Sequence, residues 1–332
     1  MSETDWGVRD PRGEWQPAVL PKPSPLFRLP WKIWDVIKWL FAPESFLWPY
    51  NLVYALMAVA AWLWFTPGFD RTVHFQIGWI AELYLRNAVF LLVVAGGLHL
   101  RLYMTRGQGS KFKYTNKWLA AHDSKFLFRN QTWDNIFWNY VSGVTIWTAW
   151  EAVTLWLYAN HKIPYVGWRE HPVYCVLLMV AIPFLRLIHF YWVHRLIHWK
   201  PLYQISHFVH HKNVNIGPWS GLSMHPIEHI LYFSGVLLHW IIPSNPVHAI
   251  YHLMHAGVSP ALGHAGFHKL VTKEEKGLAA DNYFHYLHHR YFTVNFGSEA
   301  VPLDKWFGSF HDGSPAAHQA MMDKRSRARK QS

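Results

Sequence analysis

Apolar residues run through much of the chain in long stretches that contain few charges. Four of these stretches approach the roughly 20 residues that an α-helix needs to cross a bilayer core. They cover residues 50–66, 88–104, about 136–158 and about 173–190. The pattern therefore predicts four transmembrane helices within residues 50–190.

The segment before these predicted spans has a different pattern. Residues 1–49 begin with a proline-rich stretch and continue into LPWKIWDVIKWLF, whose aromatic side chains suit a membrane interface while Lys32 and Lys38 face water. We therefore expect an N-terminal cytoplasmic or interfacial segment. The start, MSETDWGVRD, lacks the basic and apolar regions of a cleaved signal peptide, so the internal spans are expected to direct insertion.

Shorter apolar runs follow at residues 230–242 and 247–263, on either side of the turn PSNP. Because both are short and the second contains three histidines, a re-entrant or shallow membrane hairpin is expected over 230–263 rather than two full spans. This hairpin lies within a predicted histidine-rich catalytic region, 191–310. The basic tail, 311–332, is expected to be disordered. The predicted fold is all-α, a polytopic membrane helical bundle.

Composition and charge favour a membrane protein over a soluble one. Hydrophobic residues make up 51% of the chain, and its 21 Trp and 16 Tyr suit the aromatic belts of membrane interfaces. The formal net charge is +11 without any nucleic-acid-binding motif, so no nucleic-acid partner is expected. Basic residues gather near the N-terminus, around residues 105–130 and in the tail, which predicts that these segments and the region from His194 onward face the cytoplasm.

Histidines are concentrated in one part of the sequence. Seventeen of the 24 fall between residues 189 and 289, and many recur three or four residues apart. Residues at this spacing share one face of a helix, so their imidazoles point towards a common place, and neutral imidazole is a ligand for iron, copper, nickel and zinc. The candidate metal ligands are His194, His198, His207, His210, His211, His264, His268, His285, His288 and His289.

Ten histidines exceed the coordination of a single six-coordinate ion. Two ions with about five nitrogens each would keep a position open for oxygen or substrate, so the sequence predicts two metals. The single cysteine, Cys175, excludes a disulfide framework or a multi-cysteine metal site within the chain. Histidines outside the clusters are expected to pack or to form hydrogen bonds: His189, His239, His248, His252 and His255.

These motifs resemble those of the fatty acid hydroxylase / sterol desaturase superfamily of integral membrane di-iron enzymes. The matching segments are HRLIH at 194–198, HFVHH at 207–211, HPIEH at 225–229, HYLHH at 285–289 and LDKWFGSF at 303–310, with a looser match for HAGFH at 264–268. The resemblance implies that the ten histidines hold two iron ions in a cytoplasm-facing centre, which uses O2 to hydroxylate or desaturate a lipid. It also implies that His225, Glu228 and His229 stand behind the ligands and orient their imidazoles.

Three further polar residues have more than one interpretation. Asp281 and Asn282 precede the last histidine motif and could bond the second nitrogen of a ligand or cap the following helix. Asp304 is expected to cap or pair locally rather than to contact a metal.

The expected reaction needs two electrons from outside the chain. No cysteine-based cluster, dinucleotide-binding fingerprint or haem domain is recognisable, so a separate ferredoxin or cytochrome is expected as electron donor. The substrate is expected to be an amphiphilic lipid, such as a sterol, a fatty acyl lipid or an aminolipid. Aromatic residues that could line its route are Phe190, Tyr191, Trp192, Trp219, Phe284 and Tyr286.

Two other functions stay open at this point. A histidine-rich membrane metal transporter usually places its site at mid-membrane, whereas these motifs follow the predicted spans. A zinc-dependent hydrolase is the other alternative, because a histidine shell alone does not fix the metal.

Overall fold

The computed structural model describes residues 7–273, 276–280 and 283–331. The fold is mainly helical, with 62% helix and 6% strand, which confirms the all-α prediction. The helices of the first part are α1 (Ile33–Phe41), α2 (Leu47–Phe65), α3 (Phe69–Thr72), α4 (Ile77–Met104), α5 (the unbroken run Gln131–Trp138, Asn139–Val144 and Thr145–Ala159) and α6 (Pro172–Ile197).

The second part continues with shorter helices. These are α7 (Lys200–Leu202, Tyr203–His207 and Phe208–His211), α8 (Pro226–Phe233), α9 (Pro246–Gly263), α10 (Tyr283–Tyr291), α11 (Leu303–Trp306) and α12 (Pro315–Gln331). Tighter 3₁₀ turns occur at Pro25–Phe27, Leu127–Arg129, Pro218–Leu222 and Ser234–Trp240. Two antiparallel hairpins pair β1 (Gly7–Arg9) with β2 (Trp15–Pro17) and β3 (Lys269–Lys273) with β4 (Lys276–Ala279).

Three helices of the described chain are long and apolar enough to cross a membrane, namely α2, α4 and α6. They overlap the predicted spans 50–66, 88–104 and 173–190. The remaining predicted span, 136–158, lies within α5, which carries buried polar side chains such as Asn139 and Glu151 and is not one of the three. A fourth span at α5 therefore stays a prediction, while the other helices support a multi-pass membrane protein.

Helix α9 forms the centre of the protein. Asn245 accepts a hydrogen bond from the Val247 amide, and Pro246 occupies the first turn, so the helix has a strong start. Almost every side chain of α9 is buried, and the helix packs against α2, α5 and α6. Helix α9 is thus surrounded by other helices and leaves no face exposed at the protein surface. Whether residues 230–263 enter the bilayer stays a prediction.

The C-terminal tail differs from the expected disorder. Residues Pro315–Gln331 form helix α12, and its alanine and arginine content favours helix formation. Met321 is buried, and the Arg325 guanidinium donates hydrogen bonds to the Tyr291 carbonyl and to Thr293 Oγ1. These contacts dock the helix on the end of α10, which polar composition alone does not reveal.

Candidate metal centre

Four helices bring the histidine motifs together at one end of the bundle. Helix α6 carries His194 in its last turn, and His198 is its C-cap residue. Helix α7 carries the second motif, α9 ends at the C-cap residue His264, and α10 carries the last motif. Helices α7 and α10 are short, so their stability depends on packing rather than on intrinsic helix propensity.

The first histidine group consists of five side chains whose ligating nitrogens all lie within 4.8 Å of one another: His194, His198, His207, His211 and His288. His198 Nε2 lies 3.0 Å from His207 Nε2 and 3.1 Å from His211 Nε2. Nitrogens bound at right angles about 2.1 Å from one ion are separated by about 3.0 Å. The spacing therefore fits a shared metal ion.

The second histidine group has four members with the same arrangement: His210, His264, His285 and His289. Its centre is His264 Nε2, which lies 3.0 Å from His285 Nε2 and 3.1 Å from His289 Nε2. Within the described residues the chain thus forms two separate sets of converging nitrogens, each of which could hold a metal ion. The number of metal ions stays a prediction.

Hydrogen bonds on the far side of the rings fix which nitrogen is free to bind. Backbone carbonyls accept from Nδ1 in the pairs His194–Phe296 (2.6 Å), His288–Val294 (2.7 Å) and His264–Pro260 (2.9 Å). A carbonyl can only accept, so Nδ1 carries the hydrogen and Nε2 of the neutral ring presents a lone pair. Nε2 lone pairs that point at one another with no hydrogen between them repel each other. A metal cation placed between them would remove this repulsion.

Glu228 plays the same part for His207. Its Oε1 lies 2.8 Å from His207 Nδ1, and both side chains are buried. Burial raises the pKa of the Glu228 carboxyl well above its ordinary value. A positive charge beside this position would favour the carboxylate form, and an imidazole bound to a metal would supply one. The geometry suits the predicted role of Glu228 behind a ligand.

Burial also keeps the histidines neutral. It lowers the pKa of His264 to about 3 and holds the pKa of the α7 and α10 histidines well below the ordinary value, with neighbouring histidines adding to the effect. Because metals bind the neutral imidazole, the set is in its ligating form at neutral pH.

Comparison with known proteins matches the same part of the chain. Residues 176–309 match the family model described as fatty acid hydroxylase. Among curated relatives, a Delta(7)-sterol-C5(6)-desaturase of Nicotiana tabacum is 28% identical over 161 residues, 47% of this chain and 56% of the relative. A Delta(7)-sterol 5(6)-desaturase of Gibberella zeae is 29% identical over 164 residues, 48% of this chain and 47% of the relative.

The histidine-rich region is thus similar to the fatty acid hydroxylase / sterol desaturase superfamily, as the family match and the sterol desaturase relatives agree. A third relative, a Delta(7)-sterol 5(6)-desaturase of Aspergillus fumigatus, is 30% identical over 150 residues, 38% of this chain and 46% of the relative. The chain spans about half the length of these curated relatives. No solved structure matches it.

Nine of the ten predicted ligands belong to the two groups, and His268 lies outside both. Its Nδ1 lies 3.3 Å from the Tyr114 hydroxyl, and its ring packs 5.3 Å from that of Trp15. The prediction assumed that HAGFH is helical. Helix α9 instead ends before His264, and Gly266 adopts a φ of +77°, so the two histidines do not share a helix face.

The two histidines of the HPIEH motif form hydrogen bonds with groups other than the predicted ligands. His225 is the N-cap of α8, where its Nδ1 accepts from the Ile227 amide. His229 bonds Ser142 Oγ at 2.8 Å and the Leu222 carbonyl at 3.2 Å. Neither contacts a ligand histidine through these bonds. Asp281 and Asn282 lie outside the described residues.

Asp304 of the superfamily motif LDKWFGSF acts locally, as predicted. Its carboxylate accepts from the Phe296 and Gly297 amides at 2.9 and 2.7 Å. Since the Phe296 carbonyl accepts a hydrogen bond from His194 Nδ1, Asp304 fixes the loop that orients this predicted ligand.

A cavity of about 400 Å³ opens onto both histidine groups. His194 and His207 line it from the first group, and His210, His264 and His285 from the second. Of the six aromatic residues predicted to border the substrate route, Phe190 lines this cavity. Tyr286 instead stacks on Tyr114 at 4.4 Å, and Trp219 belongs to the hydrophobic core.

The histidines predicted to pack do so. His189 bonds Ser234, His248 bonds the Cys175 carbonyl, His255 bonds Asn51, and His239 and His252 bond each other. One cavity residue that the sequence reasoning missed is Arg186, although a charge inside the apolar run PFLRLIHF was a visible signal.

Proposed function

We propose that this protein is a di-iron oxygenase that hydroxylates or desaturates a membrane lipid with O2 and electrons from a separate donor. The observation that carries the proposal is the pair of converging histidine groups bordering one cavity. Two iron ions held by these groups would supply the reductive activation of O2 that an unactivated C–H bond requires.

The chain's own residues prepare this chemistry in two ways. Hydrogen bonds from Nδ1 to Phe296, Val294, Pro260 and Glu228 direct the ligating nitrogens inward before any metal arrives. This preorganisation lowers the cost of forming the centre. The cavity then offers the substrate a recess beside both groups, where the reacting carbon can be held in position.

Membrane position and electron supply complete the proposal. The basic N-terminal segment favours a cytoplasmic N-terminus. Four proposed spans, in α2, α4, α5 and α6, would then bring the chain back to the cytoplasmic side, where the histidine groups begin. The chain contains one cysteine, so it cannot ligate an iron–sulfur cluster by itself, and a ferredoxin or cytochrome would deliver the electrons.

Mass spectrometry of cell lipids tests the proposed reaction. Cells that produce the wild-type protein are compared with cells that produce the His289→Ala variant, which lacks one member of the second group. We expect a lipid that gains one oxygen atom or loses two hydrogens only with the wild-type protein.

Two results would contradict the proposed function. One is a lipid profile that is the same with both proteins under conditions where the wild-type protein contains iron. The other is a purified protein that contains only zinc and consumes no O2 with any reductant, which would favour the hydrolase.

A further inference from the structure

Arg186 occupies an unusual place in the membrane helix α6. It lies two turns before His194, so Arg186, Phe190 and His194 share one face of the helix. The Arg186 guanidinium lies 5.0 Å from the Phe190 ring, and the Phe190 ring lies 4.8 Å from that of His194. A single aromatic ring thus separates a positive charge from the first histidine group.

The guanidinium of Arg186 is buried against the rings of Phe190 and Tyr232, but most of its N–H groups have no hydrogen-bond acceptor in the described part of the chain. The side chain is 9% exposed. One of its nitrogens donates to the Tyr232 hydroxyl, while its Nε is buried without a hydrogen-bond partner. A guanidinium has five N–H donors, so one hydrogen bond leaves most of them unsatisfied. Among the ion pairs of the described residues, none involves Arg186.

A second buried arginine, by contrast, has a hydrogen-bond acceptor for each of its guanidinium nitrogens and an ion-pair partner. Arg86, in helix α4, is 7% exposed and forms an ion pair with Glu151. It also donates to Asn87 and Thr66, so all of its nitrogens have partners. Within the described residues, Glu44, Glu228 and Glu299 line the same cavity as Arg186, but none of them forms an ion pair with it.

An unpaired charge in this position is costly, so its retention needs a compensating contact. Leaving a buried charged donor unsatisfied costs more free energy than leaving a neutral donor unsatisfied. The cavity that borders the histidines is also lined by Arg186, and hydroxyl and amide groups of Tyr54, Asn51 and Ser259 lie on the same lining. The guanidinium therefore faces space that a ligand can fill.

We infer that Arg186 binds an anionic group, a carboxylate or a phosphate, on the lipid substrate of this protein. The planar guanidinium matches two oxygens of either group in a bidentate contact. Because only Phe190 separates Arg186 from His194, the oxidised carbon lies near the anionic end of the substrate rather than at the far end of its tail. This inference rests on the proposed function and narrows its substrate class.

The proposed anionic substrate differs from the substrate that appears in the names of the relatives. Those proteins are named as acting on a Delta(7)-sterol. A neutral sterol offers a hydroxyl to Arg186 and leaves its charge uncompensated, whereas an anionic lipid neutralises it.

Equilibrium binding to the full-length, iron-loaded protein in a nonionic detergent tests this inference without turnover, under anaerobic conditions. The probes are palmitate, hexadecyl phosphate and hexadecanol, which share one saturated tail and differ in the polar group. We expect at least one anion to bind the wild-type protein about tenfold or more tightly than hexadecanol, as a charge-assisted contact predicts. Whichever of palmitate and hexadecyl phosphate binds more tightly identifies the anionic group of the substrate as a carboxylate or a phosphate.

Variants assign the preference to Arg186. The Arg186→Gln variant is expected to bind all three probes with similar affinity, while Arg186→Lys retains part of the preference because its charge remains without the fork geometry. The exposed Arg169 supplies the matched control, and Arg169→Gln is expected to behave as the wild type.

Equal binding of hexadecanol and both anions by the wild-type protein would overturn the inference, as would an unchanged anion preference in Arg186→Gln. Iron content and O2 uptake are recorded on the same samples. An Arg186-dependent anion preference in a protein that consumes no O2 would uphold the anion site and reject the oxygenase. Oxygenation of a neutral lipid without any anion preference would uphold the oxygenase and reject the anion site.

Discussion

At the scale of single residues, the position of one hydrogen decides what each histidine can bind. Carbonyls or Glu228 accept the Nδ1 hydrogen of several ligands, so Nε2 faces the proposed metals. A replacement that keeps the ring but alters its partner should therefore change metal affinity without removing a ligand.

The Glu228→Gln variant tests this relationship. Its amide oxygen can still accept from His207 Nδ1, but the compensating negative charge is lost. We expect iron affinity, measured by competition with a chelator, to fall about tenfold to a hundredfold. Glu82, a carboxylate that is half exposed and paired with Arg71, provides the matched control as Glu82→Gln. Equal affinities for Glu228→Gln and the wild type would refute the role of Glu228.

Removal of single histidines distinguishes members of the groups from their neighbours. We expect His288→Ala to lose iron from the first group and His289→Ala from the second, because each removes a converging nitrogen. His268→Ala should retain both ions, since His268 contacts Tyr114 instead. Iron quantification per chain checks this. Retention by His289→Ala, or loss by His268→Ala, would contradict the assignment.

At the scale of elements, helix α9 supports the centre by close packing. Gly257 of α9 faces Trp147 of α5, and a Cβ on Gly257 would lie 2.4 Å from the Trp147 ring. Helices can approach this closely only where a side chain is missing, and the same contact positions the end of α9, where His264 is located.

We expect Gly257→Ala to destabilise the protein by about 1–3 kcal/mol, because the added methyl group forces the Trp147 ring to move. Thermal unfolding in detergent measures the effect. Gly97, inside helix α4, has open space around its Cβ position, so Gly97→Ala should leave the midpoint unchanged or raise it slightly. An equal response of both variants would argue against the close packing of α9.

Several elements could be predicted from the sequence because their signals are local. Apolar runs indicate α2, α4 and α6, and the spacing of HRLIH, HFVHH and HYLHH indicates clusters of ligands. The role of Pro260 could not be predicted in this way. Its carbonyl orients His264 only because α9 ends at that point, and the Trp147 contact that positions α9 is distant in sequence.

At the scale of the whole molecule, the division of nine histidines into two groups is a property of the assembled fold. The neighbouring residues His210 and His211 belong to different groups, as do His288 and His289. Spacing predicts that such residues face the same region, but which ion each would bind depends on how α6, α7, α9 and α10 meet. That Arg186 forms no ion pair within the described residues is likewise visible only in the folded structure, since Glu44, Glu228 and Glu299 line the same cavity without pairing with it.

The central claim is that this chain holds two iron ions, one in each histidine group. The most direct test is the iron content of the full-length protein, purified in detergent from iron-replete cells and measured by elemental analysis against protein concentration. The account predicts two iron ions per chain. One ion per chain, or a protein that binds no iron when it is folded, would contradict it.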